Sequence, residues 1–188
     1  KKANKPPVDF ISYEVQALRI DIVQGRAAEA VPQIEARIVQ LESWWNQIRG
    51  GNFVGDAPNP EQLTGVLIEA LDVMNDVHFS QNEWVSALRR VDEIMEIKRV
   101  LRRPEFNVAI TRLTRASVLG NLGRIGESIA ELEACLQHFH SDPHLTATTR
   151  SSLARRFEAL GDVVQSVTQE RRALSLYEQF PLPSQRAL

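Results

Sequence analysis

Hydrophobic positions along this chain fall at helical spacing almost throughout. Leu63, Val66, Leu67, Ala70, Leu71, Met74 and Val77 follow i, i+3, i+4, i+7, i+8, i+11 and i+14, one apolar stripe along a helix. Ile129, Leu132, Leu136 and Phe139 repeat the pattern later in the chain. Glycine and proline sit mostly between such segments, at Gly25, Gly50-Gly51, Pro58-Asn59-Pro60, Pro104, Gly123, Asp142-Pro143 and Gly161. These breaks predict eight helices, roughly 9–23, 27–48, 60–78, 82–102, 105–121, 125–140, 144–159 and 163–179. No run alternates apolar and polar residues between hairpin turns, so strands are not expected. Pro60 suits a first helical turn, where a missing amide proton is harmless. Asp142 is placed to cap the helix that follows Pro143. Helices this short do not persist alone in water, so each must bury its stripe against a neighbour.

The stripes also repeat. Ala116, Leu119, Leu122-Gly123, Ile125, Ser128, Ile129, Leu136 and Phe139 are echoed 38 residues later by Ala154, Phe157, Leu160-Gly161, Val163, Ser166, Val167, Leu174 and Tyr177. A fixed period in this range marks stacked helical hairpins. Small side chains at Ala116, Ala154, Ser128 and Ser166 would let two helices cross closely. Gly123 and Gly161 stand where the chain must turn sharply. Cys135 aligns with Ala173, a further small position.

In these residues the chain resembles the tetratricopeptide-repeat family. The likeness lies in Leu122-Gly123-x-Ile125-x-x-Ser128-Ile129 with Cys135-Leu136, and Leu160-Gly161-x-Val163-x-x-Ser166-Val167 with Ala173-Leu174. Trp84, Ala87, Leu88, Val91, Ile94 and Met95 give a weaker copy 41 residues before the first. Gly25, Ala27, Ala30, Val31, Ile34 and Ile38 give another, 57 residues earlier still. The family period is 34 residues. Arg115 stands where the family usually has leucine, and Asp21 and Arg37 fall at positions expected to be apolar. Pro32 would remove a backbone donor inside a helix. The resemblance implies an all-α, right-handed α-α superhelix of about four hairpins. It also implies a concave groove for an extended peptide. By residue-wise carry-over that groove is lined by Glu69, Asp72 and Asp76, then Leu113, Ser117, Gly120 and Asn121, then Thr148, Ser151, Arg155 and Glu158. Ser117 and Arg155 occupy positions where the family's carboxylate clamp needs asparagine, which disfavours chaperone tails as partners.

Composition narrows the function. The chain has 188 residues and a net charge of −2, without the basic footprint of a protein dominated by phosphate contacts. Residues 1–78 carry 7 basic and 11 acidic side chains, leaving 15 and 13 for residues 79–188, a mild asymmetry. One cysteine excludes an internal disulfide framework and fits a reducing, cytoplasmic setting. No apolar run reaches the roughly 20 residues that span a bilayer, and Lys1–Pro7 lack the apolar stretch of a secretory signal. A first residue other than methionine fits a processed or excised chain.

Candidate chemistry is sparse. Cys135, His138, His140 and His144 cluster in sequence, but no second ligand pair has zinc spacing, and Cys135 lies on the packing side of its helix. The chain has no Gly-x-Ser-x-Gly elbow, no phosphate loop and no paired Glu-x-x-His motifs. Gly-Gly-Asn-Phe-Val-Gly at 50–55 reads as a helix stop and connection. Glu69, Asp72 and Asp76 align at i, i+3 and i+7, either as a solvated face or as an acidic groove wall. Arg89, Arg90, Lys98, Arg99, Arg102 and Arg103 load one helix, as a solvated face or a patch for an acidic partner. Adjacent Trp44 and Trp45 face different directions on a helix, so one can pack while the other is left open to a partner, or both serve packing.

The sequence therefore predicts a single helical-repeat domain over residues 1–188. Residues 1–8 and 180–188 are expected to be flexible, and 49–59 to form an inter-hairpin loop. It is expected to be a non-enzymatic module without cofactor or metal, binding a protein segment or peptide through Glu69, Asp72, Asp76, Ser117, Asn121, Ser151 and Arg155. Nucleic acid and membrane are not expected partners. Two other functions fit the same helices. One is a ligand- or peptide-sensing regulatory domain of a larger protein; the other is a structural self-association module.

Overall fold

Eight α-helices and no strand occupy the residues that the computed structural model describes, 8–180. They are α1 (Val8–Val23), α2 (Ala27–Arg49), α3 (Pro60–Ser80), α4 (Trp84–Val100), α5 (Glu105–Asn121), α6 (Ile125–Leu136), α7 (Pro143–Ala159) and α8 (Val163–Gln179). The protein is thus all-α and built from helical hairpins. Packing divides it between Ile97 and Lys98 into two compact units. The ends expected to be flexible lie outside the described residues, except for Val8, which is buried at the start of α1, and Phe180, which follows α8.

In the first unit the predicted stripe of α3 is the core: Leu63, Val66, Leu67, Ala70, Leu71, Met74 and Val77 are all buried. Ile11, Val15 and Leu18 of α1 and Ile34, Ile38 and Leu41 of α2 are buried with it. Asn59 starts α3 as its cap, its side-chain oxygen accepting from the amides of Glu61 (2.8 Å) and Gln62 (3.3 Å), with Pro60 in the first turn. Along the surface Asp9 accepts from Gln62 and Glu69 accepts from Gln16, both pairs 53 residues apart. That constant offset means α1 and α3 lie side by side and run the same way, as the first helices of successive hairpins do. Pro32 is accommodated in the second turn of α2, on the exposed side of a continuous helix. Arg37 is polar where an apolar residue is expected because Glu14 on α1 meets it at 2.8 Å. Both tryptophans are buried, so the alternative in which one faces outward is not realised. Trp44 meets Phe53 of the 50–59 loop edge-on, with ring centroids 6.4 Å apart, which pins that loop.

In the second unit the matched small residues meet. The Ser128 hydroxyl donates to the carbonyl of Ala116 at 2.6 Å. Ala116 also packs with Leu132 and Leu153 in one core cluster, while Ala109, Cys135 and Phe139 form another. Gly123 and Gly161 are both left-handed, at φ +74° and +78°, and close their helix–helix turns in the same way. Arg115, in place of a leucine, pairs with Glu131 across α5 and α6 at 2.9 Å, and Arg112 joins it at 3.3 Å. Helix α6 stops at Leu136, four residues before the predicted end. The chain leaves the helix there so that Phe139 can bury fully against Phe106, at 5.6 Å between ring centroids, while its carbonyl accepts from Thr146. Asp142 caps α7 as expected, accepting from the Leu145 amide at 2.9 Å. The second copy of the repeat is less covered than the first. Val163, Val164, Val167 and Leu174 on α8 are exposed.

Candidate binding clefts

The carboxylates expected to line a groove are partly committed within the first unit. Glu69 is half-buried and accepts from Gln16, and Asp76 lies 3.7 Å from the Arg19 guanidinium. Asp72 is exposed between them. The α1–α3 ridge thus carries an acidic row whose two ends are answered from α1. Ion pairs this exposed contribute little to stability and leave the side chains able to exchange partners.

In the second unit Asn121 donates to the Ser117 carbonyl at 3.1 Å, a bond within α5. Ser151 and Arg155 lie together in a cleft of about 450 Å³ between α7 and α8, with Glu158, Ser166, Val167 and Glu170. Ser117 and Asn121 do not line it. The neighbouring Arg156 reaches across to Gly120 of α5, where the missing Cβ leaves room for its guanidinium. Burial and the nearby Arg155 depress the proton affinity of Arg156, and its Nε is buried with no hydrogen-bond partner.

A second, larger cleft was not legible in the sequence. It lies within the first unit, holds about 640 Å³, and is walled by α2 and α4 over the side of α3. Leu67 and Leu71 reach it from α3, Trp45 from α2, and Val85, Leu88 and Ile97 from α4. Its rim is charged: Glu42 and Arg49 on α2; Arg89, Asp92, Glu93 and Glu96 on α4. Arg49 lies over the Trp45 ring, 5.8 Å from its centroid, covering the indole with a cation. Arg90, almost wholly buried, bridges the two walls, 2.8 Å from Glu93 and 3.9 Å from Glu42. Even so, burial and then the neighbouring Glu93 hold the Glu42 carboxyl above its ordinary range, outweighing Arg90 and Arg89.

Two of the cations read on α4 as a solvated face or a basic patch are engaged internally. Arg90 turns inward to the carboxylates, and Lys98 donates to the Asn107 carbonyl and the Thr111 hydroxyl. What α4 offers the cleft is mainly acid. The metal-like cluster also resolves into packing. The Cys135 thiol is buried against the Ala109 carbonyl at 3.3 Å, and burial pushes its pKa up to about 12. Among the described residues no three histidine, cysteine or carboxylate side chains converge as a metal site would require. No helix among them is long and apolar enough to cross a membrane.

The fold and clefts define an all-α protein of helical hairpins with an apolar, acid-rimmed surface recess. No protein-family model matches the chain, and no curated protein does. Among solved structures it is similar to MamA MSR-1, with 19% identity over 90% of this chain and 97% of that one, at a TM-score of 0.49. It is also similar to MamA AMB-1, with 17% identity over 95% and 97%, at 0.47. Likeness this distant carries no argument about function.

Proposed function

We propose that this protein is a tetratricopeptide-like interaction module that binds a segment of another protein. The α2–α3–α4 cleft receives the apolar side chains of that segment. One observation carries the reading: a recess of about 640 Å³ whose apolar floor is set on three helices, within the size range of ligand sites. Val85 and Leu88 stand on α4 above the buried core that includes Leu67 and Leu71, so the seat is ordered before any partner arrives and association costs less. The recess is open, which suits a protein segment better than an enclosed small molecule and so favours binding over ligand sensing. Ser151 and Arg155 in the smaller α7–α8 cleft are a proposed further contact. Glu69, Asp72, Asp76, Ser117 and Asn121 are proposed to add polar contacts on the first helices of their hairpins.

The test is an affinity capture from native extract with the wild type and with Val85→Glu/Leu88→Glu, read by quantitative mass spectrometry. Both substitutions fall on the cleft wall, and the fold is checked by circular dichroism. Loss of a captured protein in the variant supports the seat. Retention of every captured protein by the folded variant overturns it.

A further inference from the structure

The charge around the α2–α3–α4 cleft says what kind of segment fits it. Four carboxylates line the recess (Glu42, Asp92, Glu93 and Glu96) against two guanidinium groups, Arg49 and Arg89; Arg90, which bridges Glu93 and Glu42 from beneath, brings the balance to −1. One of those cations is spent on the Trp45 ring. Glu96 is exposed and has no ion pair among the described residues. Burial first, and then the neighbouring Glu93, raise the Glu42 carboxyl at the cleft edge.

Backbone chemistry limits the conformation of the occupant. The walls are helices, whose amides and carbonyls are already paired along their own axes. They offer no strand edge to an extended segment. A segment lying on Val85 and Leu88 must therefore satisfy its own backbone, which an α-helix does. Val85 and Leu88 are three residues apart on one face of α4, the ridge spacing that an incoming helix also presents. From Val85 to Ile97 the α4 wall runs roughly 18 Å, enough for three turns.

We propose that the occupant is a basic amphipathic helix of a partner protein, its apolar face on Val85 and Leu88 and its lysine or arginine side chains received by Glu42, Glu93 and Glu96. This deepens the reading of the cleft as the seat of a protein segment, and it rests on that reading. The apolar floor supplies affinity, and the acidic rim selects the sign of the flank and speeds encounter at low salt.

Three synthetic helical peptides test it. Each has the same leucines at i, i+3, i+4 and i+7, and the flanks are lysine, glutamate or glutamine. A fourth keeps the lysines and replaces the leucines by serine. Binding to the full chain is followed by fluorescence anisotropy and by the Trp45 indole resonance. The leucine–lysine peptide is expected to bind at least tenfold tighter than the leucine–glutamate one, to weaken with salt, and to shift Trp45. Glu93→Gln/Glu96→Gln should remove most of that preference, and Glu96→Lys alone, at an exposed site, should reverse part of it. Equal affinity for lysine and glutamate flanks, or a preference unchanged within twofold in both variants, overturns the basic occupant while leaving the apolar seat standing. Equal binding of the serine–lysine peptide also overturns it, since charge alone would then suffice. If no leucine peptide binds or shifts Trp45, the seat itself falls.

Discussion

The Ser128 hydroxyl of α6 donates to the Ala116 carbonyl of α5 across 2.6 Å, and neither residue is exposed to solvent at all. Two positions chosen by the repeat for their small size therefore also share a polar bond, which fixes how closely the two helices approach. Ser128→Ala is expected to cost about 1 kcal/mol, the usual value of such a bond. Ser128→Leu should cost more, about 1–3 kcal/mol, because the crossing has no space for it. The matching Ser166→Ala, at a half-buried site, should change stability by less than about 0.5 kcal/mol. Urea unfolding of the three variants checks the order.

The turn glycines should behave alike. Gly123 and Gly161 have positive φ, and a Cβ at either would meet open space. Only backbone strain then opposes Gly→Ala, roughly 1–2 kcal/mol at each. Equal losses at the two sites are expected. A loss confined to one would break the equivalence of the two copies.

Gly120 differs, since a Cβ there would overlap the Arg156 guanidinium. Alanine gains about 1 kcal/mol over glycine inside a helix. In the wild type that gain should be offset by displacement of Arg156. Gly120→Ala is therefore expected to be near neutral alone and clearly stabilising in an Arg156→Ala background. A double-mutant cycle measures the difference, and strict additivity would contradict the packing described.

The Glu42 carboxyl has a distinct pH signature. Its native pKa is raised above the ordinary 4.5 by burial and by Glu93. The native state therefore holds the proton more tightly than the unfolded chain. The stability this contributes is complete below about pH 4.5 and is lost as pH rises through the native value. Glu42→Gln should accordingly gain on the wild type as pH is raised from about 4 to 7. A difference independent of pH, measured by denaturant midpoints, would rule this out.

Helix order, nearly every boundary, the α3 stripe, the Asp142 cap and the two equivalent turns were all legible from spacing. Each is a local rule or a period, and sequence carries those directly. The end of α6 was not, because Phe139 leaves the helical path for a partner, Phe106, that is remote in sequence. Trp45 escaped for the same reason. Its burial depends on how α2 and α4 stand over α3, and so does the cleft. Of the expected site residues, Ser151 and Arg155 come together in one cleft, while Glu69 and Asp76 are engaged from α1. The acidic rim was hidden by averaging, since α4 is basic in total and acidic only on the side that Val85, Leu88, Asp92 and Glu96 share. A small signal was present: Asp92 and Glu96 stand one turn apart.

The seclusion of the lone sulfur has a practical result. With its pKa near 12 and its surface fully covered, Cys135 stays protonated and out of reach of thiol reagents in the folded chain at neutral pH. A cysteine placed on the cleft rim by Val85→Cys would then be the one accessible thiol. A dye, spin label or crosslinker could be attached there in a single step, and whatever approaches Leu88 could be watched or trapped without rebuilding the interior.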